Sequence, residues 1–413
     1  MTNGNYQYEL VEKLSFVRYG GTEEELKAAK IILAEIEKLG GEGEIADFSV
    51  PAFDVHRCSM SVSAPYEKTI ACAPFGLCGD FPQGIQLRPY YAARGVEEDY
   101  LGMESLEGYL VMIDNPTPDA YKLMIEKRAS AFAVIQGKHY DVHAADNLYL
   151  RPLRPKFLKY GRLPGFVITA ADAAEIIRNE VESIRIESSF TETLHTSRNV
   201  LAFIPGTESG GEEIVVTAHY DSVPVGTGSW DNATGSATIL WLYKHFLENP
   251  PRRDMRFVWC GSEEQGLLGA RAFVEQNPQE VEKIKFCFNF DMCGIVLGAN
   301  TLFVTGKDEL VSYTRQYCRE IGFSAEISKI VHSSDSAAFA DKGIPSVGIS
   351  RRTNTAEIHT VHDTMAPLCP KSMAVTADFA IGFMERVINS VILPTDLGMP
   401  DDLVDVLNKR FRG

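Results

Sequence analysis

No stretch of this 413-residue chain approaches the ~18 consecutive apolar residues of a membrane-spanning helix. Residues 1–18 mix Tyr, Glu, Lys and Arg and lack the apolar core of a secretory signal. A membrane partner is therefore not expected, and a cytoplasmic location is. Basic charge is also scarce: 40 Lys and Arg stand against 56 Asp and Glu, a formal net charge of -16. A surface of that sign repels phosphate, which excludes nucleic acid as a principal partner. The eight cysteines, Cys58, Cys72, Cys78, Cys260, Cys287, Cys293, Cys318 and Cys369, form no Cys-x2-Cys zinc pattern. Several interrupt apolar runs such as Phe286-Cys287-Phe288, so structural free thiols in a reducing compartment are expected. No internal repeat is visible.

The chain can bury a large core. Apolar residues make up 45% of it, with 33 Gly and 20 Pro, which sets aside disordered and collagen-like classes. At about 150 residues per domain the length suggests two or three. Thr22 and Glu25 form a capping-box pair ahead of Leu26, Ala29, Ile32, Leu33, Ile36 and Leu39 at helical spacing, which predicts an amphipathic helix over 22–39. Residues 51–195 carry short strand-like runs at 108–114, 131–135, 165–169 and 183–186 between helical pieces and turns, and read as a smaller, strand-rich α/β domain. From residue 196 strands alternate with helices, the pattern of a mixed, mainly parallel sheet sandwiched by helices. The strands are expected at 200–204, 213–218, 255–260, 286–290, 301–304 and 346–349. The helices are expected at about 232–247, 266–276, 308–320, 335–341 and 370–391. The larger domain is thus 1–50 plus 196–413, interrupted by 51–195.

Ligands bind beyond the carboxyl ends of the strands in such sheets. Three of those ends carry metal-ligating side chains: His219, the adjacent Glu263 and Glu264, and Asp291. Alone, each reads as an ordinary structural residue or cap, but they recur at one sheet edge. Loops add Asp231 and His359. Imidazole and carboxylate without thiolate suit catalytic zinc, cobalt or manganese better than a closed structural site. Two ions ~3.5–4 Å apart need a bridging carboxylate and about two further ligands each, which this set supplies. Adjacent Glu263 and Glu264 do not readily ligate together, which leaves one as general base. Asp221, two residues beyond His219, and Asp363, near His359, are candidates to orient the imidazoles, with a turn or cap role the alternative for each.

Five segments in order carry a family resemblance: His219-Tyr220-Asp221-Ser222, Gly228-Ser229-Trp230-Asp231-Asn232-Ala233-Thr234-Gly235, Ser262-Glu263-Glu264-Gln265-Gly266-Leu267-Leu268-Gly269-Ala270, Asn289-Phe290-Asp291-Met292 and Ile358-His359-Thr360. The chain over 198–391 resembles the di-zinc aminopeptidases of metallopeptidase family 28. That resemblance implies two Zn2+ ions, with Co2+ or Mn2+ able to take the same ligands, and a peptide substrate. It implies that Asp231 bridges the ions, that His219 and Asp291 complete one site, that Glu264 and His359 complete the other, and that Glu263 is the catalytic base. It also implies a cis peptide after Asp231, and a supporting position for Asp335, although N-capping of a helix at 335 accounts for that aspartate equally well. His362 is the competing histidine, set aside because the family's ligand directly precedes Thr. The insert resembles a protease-associated domain through 107–114 and 164–169, and is a candidate lid or homodimer contact.

Three other readings remain at this stage. Arg351 and Arg352 beyond the strand at 346–349 could hold a substrate carboxylate, making the enzyme a carboxypeptidase or dipeptidase. A cyclase acting on amino-terminal Gln is usually linked to a single zinc. A non-catalytic receptor is disfavoured because all six ligand and base positions are filled. The sequon Asn232-Ala233-Thr234 is read as unglycosylated because it adjoins the buried site.

Overall fold

The computed structural model describes residues 2–208, 211–394 and 398–412. The chain divides into two compact units, Met1–Val50 with Thr196–Gly413, and Pro51–His195.

The larger unit is built on a mixed sheet. Its strands lie in the order Ala325–Lys329, Ala299–Thr305, Ser346–Arg352, Ile284–Phe290, Glu213–His219 and Asp254–Cys260, followed by the end of Ser183–Ile204. The central Glu213–His219 strand runs parallel to both neighbours, and Ile284–Phe290 runs parallel to Ser346–Arg352. Antiparallel pairs occur at 200–204 and between 299–305 and 346–352. All seven residues of Glu213–His219 are buried, as expected of a strand covered on both faces. Its alternation sorts the layers. Ile214, Val216 and Ala218 join a core with residues of the helices Asn3–Leu14, Glu23–Lys38, Thr234–Glu248, Asp308–Ile321 and Pro370–Ile388. Val215 joins a second core with residues of Leu268–Gln276 and Ser336–Ala340.

Thr22 caps Glu23–Lys38 as anticipated, accepting the Glu25 N–H at 3.2 Å. The Glu25 carboxylate reaches one residue further back than in a capping box and accepts the Gly21 N–H at 2.8 Å. Three elements give little sequence signal. The edge strand Ala325–Lys329 has one large apolar residue, Ile327, and is nowhere fully buried. The helices Asn3–Leu14 and Asp401–Phe411 start without a capping side chain. The helix expected to reach 391 ends at Ile388, with Asn389 as its C-cap.

The smaller unit has its own sheet, ordered Arg151–Pro152, Cys72–Gly76, Gly165–Thr169, Ala131–Gln136, Tyr109–Ile113 and Phe81–Tyr91, and then the start of Ser183–Ile204. The pairs from 81–91 through 165–169 are parallel. Leu110, Met112, Phe166 and Ile168 fill one of its cores.

Candidate metal centre

Parallel register sets the site. His219 pairs with Cys260 and Thr217 with Asn289, so His219, the 261–267 loop and Asp291 leave the sheet side by side. His219 ends its strand 1% exposed, with its carbonyl accepting from Ser236 Oγ at 2.8 Å. Asp231 lies in the turn Ser229–Ala233, and the peptide after it is cis. Asn232 anchors that turn: Nδ2 donates to the Phe290 carbonyl, while Oδ1 accepts from Gly235 and Met292 amides. With no exposed surface, Asn232 is not a glycan acceptor.

Two triads result, His219–Asp231–Asp291 and Asp231–Glu264–His359, in each of which the potential ligand atoms all lie within 4.8 Å of one another. Asp231 is common to both. Its Oδ1 is 3.2 Å from His219 Nε2, and its Oδ2 is 3.1 Å from His359 Nε2. Asp291 Oδ1 lies 3.7 Å from His219 Nε2, and Glu264 Oε2 lies 3.0 Å from His359 Nε2. His362 is exposed and belongs to neither triad. Glu263 also stays outside both triads, beside Glu264.

The electrostatics call for added positive charge. Burial disfavours the charged form of both imidazoles, yet surrounding carboxylates override it, led by Glu263 for His219 and by Glu264 for His359. His219 is held well above the ordinary histidine range, and His359 is pushed up to about 12. Burial, then Asp231, raises Glu264; burial raises Glu263 well above its ordinary value despite the opposing pull of His219. For Asp231 burial acts upward, but the two histidines outweigh it and hold the carboxyl below the usual range. Glu264 Oε1, Asp291 Oδ1 and His219 Nδ1 are buried without hydrogen-bond partners. Unsatisfied oxygens in a carboxylate-rich pocket are costly unless a cation meets them, and imidazole with carboxylate is a zinc-compatible donor set. The residues present fit divalent metal.

Of the supporting aspartates, Asp221 stands beside the His219 imidazole, whereas Asp363 serves a group other than the expected His359. Asp221 lies 3.3 Å from His219 Nδ1 without hydrogen-bond alignment, and its two oxygens accept the Glu263 and Glu264 amides at 3.0 and 3.2 Å. Asp363 orients Asp231 rather than His359: its oxygens accept the Trp230 and Asp231 amides at 2.8 and 3.1 Å. Asp335 is no cap. Its side chain is fully buried behind the site with neither oxygen aligned to a partner, and burial first, then Asp291 against the pull of His219, brings its carboxyl to about 7. Arg351 is engaged in structure, donating to the Ile295 carbonyl and Asn300 Oδ1, so it is not free for a substrate carboxylate.

Two supports gave no sequence signal. Arg18 is fully buried and donates to the carbonyls of Leu14, Phe16, Tyr220, Thr227 and Gly228, tying both ends of the segment between His219 and Asp231 to residues 14–16. Glu25 accepts from Ser197 Oγ, which accepts from Ser262 Oγ at 2.7 Å, immediately before Glu263. Ser262, Met292 and His359 all adopt positive φ (52°, 60° and 59°). Such backbone strain clusters where a site over-determines its geometry.

Residues 199–384 match the sequence profile of Peptidase family M28. The chain is 26% identical over 391 residues to Aminopeptidase YwaD of Bacillus subtilis (strain 168), an alignment covering 90% of this chain and 82% of that protein. The crystal structure of BSAP, a zinc aminopeptidase from Bacillus subtilis, shares the fold with a TM-score of 0.77 at 22% identity, covering 96% of this chain and 98% of that one. A peptidase M28 precursor from Shewanella amazonensis SB2B does so with a TM-score of 0.76 at 21% identity, covering 96% of each.

Proposed function

We propose that this chain, whose residues 199–384 match the profile of Peptidase family M28, is a zinc-dependent aminopeptidase whose two triads would hold two zinc ions, with Asp231 common to both. The observation that carries this reading is the sharing of Asp231 between His219–Asp291 and Glu264–His359, with Glu263 left unengaged beside them. The similarity to Aminopeptidase YwaD over most of both chains supports the amino-terminal direction, and the engaged Arg351 weakens the carboxypeptidase alternative.

Bound zinc supplies Lewis-acid polarisation of the scissile carbonyl and activation of water. The chain's own residues do the rest. Asp363 and Arg18 hold the Asp231 turn, and Asp221 holds the amides of Glu263 and Glu264 so that one carboxylate ligates while the other stays free. The Glu263 carboxylate takes the proton of the attacking water and returns it to the leaving amine. Its raised proton affinity suits a group that must both accept and release a proton.

Residues 51–195 are proposed as a protease-associated-like insert in a catalytic domain formed by 1–50 and 196–413. Eight free cysteines support a reducing, cytoplasmic setting, and among the described residues no helix is long and apolar enough to cross a membrane. The deciding experiment follows release of the first residue from peptides with free or acetylated amino termini. Hydrolysis of free-amino peptides alone, abolished by a chelator and restored by zinc, is expected. Equal cleavage of acetylated peptides, or release from the carboxyl end, would overturn the reading.

A further inference from the structure

The smaller unit contains a pair of thiols outside everything described above. Strands 43–64 and 68–70 pair antiparallel with Met60 opposite Ile70, Ser61 opposite Thr69 and Val62 opposite Lys68. Cys58 lies two residues before Met60 and Cys72 two residues after Ile70, and their Sγ atoms lie 3.6 Å apart. Both are free thiols and only partly buried, whereas Cys78, Cys260, Cys287, Cys293 and Cys318 are buried. Sulfurs at that separation need an approach of only ~1.5 Å to reach the ~2.05 Å of a disulfide bond. We propose that Cys58 and Cys72 are a thiol–disulfide exchange site that low-molecular-weight disulfides oxidise to a reversible cross-strand disulfide.

The two thiols are hydrogen-bonded to each other, and either can begin the exchange. One Sγ, as thiolate, attacks one sulfur of the small disulfide, forming a mixed disulfide and expelling the first small thiolate. The other thiol then gives up its proton, attacks the sulfur of the first and expels the second small thiolate. Two protons and two electrons pass from the protein to the small disulfide, which leaves as two thiols.

The test exposes the folded protein to oxidised glutathione, alkylates remaining thiols under native conditions and maps peptides. The expected product is a linked pair of peptides containing Cys58 and Cys72, two hydrogens lighter and reversed by dithiothreitol. Cys72→Ser should stop at a glutathione adduct on Cys58, and Cys58→Ser at one on Cys72, with no linked pair formed in either. Oxidation confined to Cys369 with Cys58 and Cys72 still alkylatable, or separate glutathione adducts on Cys58 and Cys72 with no linked pair in the unaltered protein, would overturn the proposal.

Discussion

The Asp363 carboxylate grips the backbone of Asp231, accepting the amides of Trp230 and Asp231 at 2.8 and 3.1 Å, and so aims the one carboxylate common to both triads. Asp363→Asn keeps one acceptor and turns an NH2 group toward the other amide. The expected result is a metal affinity 10- to 100-fold weaker, as found when partners of ligating groups are lost, with a stability cost of about 1–3 kcal/mol. Competition against a fluorescent zinc chelator reads the first and urea unfolding the second. Unchanged zinc affinity would remove Asp363 from the site's support.

Glu263→Gln should leave zinc content near that of the unaltered enzyme and lower kcat by roughly 10²–10⁴-fold, the range for loss of a positioned proton-transfer group. Elemental analysis beside steady-state kinetics on an amino-acid anilide checks this. A variant that retains full turnover would reassign the base.

Chelation should both abolish activity and lower the unfolding midpoint. Without bound cations the pocket keeps Asp231, Asp291 and Glu264 together with little exposed carboxylate surface. Metal that binds only the native chain stabilises it in proportion to the logarithm of its free concentration. A thermal midpoint insensitive to zinc would contradict that linkage.

Glu25 makes stability pH-dependent. Burial is the largest cause lifting its carboxyl from 4.5 to about 8, against hydrogen bonds from Ser197 and Gly21. The folded chain keeps this proton up to about 8 while the unfolded chain releases it near 4.5, so the native state binds more protons across that window and stability falls as pH rises through it. The loss is on the order of a few kcal/mol. Denaturant midpoints from pH 5 to 9 should fall less steeply for Glu25→Gln than for the unaltered protein; parallel slopes would exclude Glu25 as the source.

Arg18→Met would leave the carbonyls of Leu14, Tyr220, Thr227 and Gly228 without their guanidinium donor. A destabilisation of about 3 kcal/mol or more is expected, with Arg18→Lys recovering only part because an ammonium cannot reproduce the planar fork. Chemical denaturation of both variants measures it.

Much of this was legible in the chain itself. The run Ile214-Val215-Val216-Thr217-Ala218 before His219 marks a buried strand with a polar tip, and Phe286-Cys287-Phe288-Asn289-Phe290 before Asp291 does the same. Alternating strands and helices imply parallel neighbours, and parallel neighbours bring such tips to one edge. The aspartates at 363 and 335 were harder to place. Asp363 lies four residues from His359, yet the backbone turns its carboxylate to Asp231, and Asp335 occupies a cap position without acting as a cap. Local spacing cannot tell which of several nearby donors a short side chain will meet.

What the sequence determined alone is therefore the chemistry: strand-end imidazole and carboxylate groups in an order and number suited to a pair of divalent cations, and a helix start at Thr22 encoded within four residues. What only the tertiary structure decided is the support. Arg18 reaches carbonyls more than two hundred residues away, Glu25 meets Ser197 and through it Ser262, and the Cys58 sulfur lies beside that of Cys72. Hydrophobic periodicity and capping act within a few residues and leave a trace in sequence. Burial of a charge against distant backbone acts only once the chain has closed on itself, and leaves none.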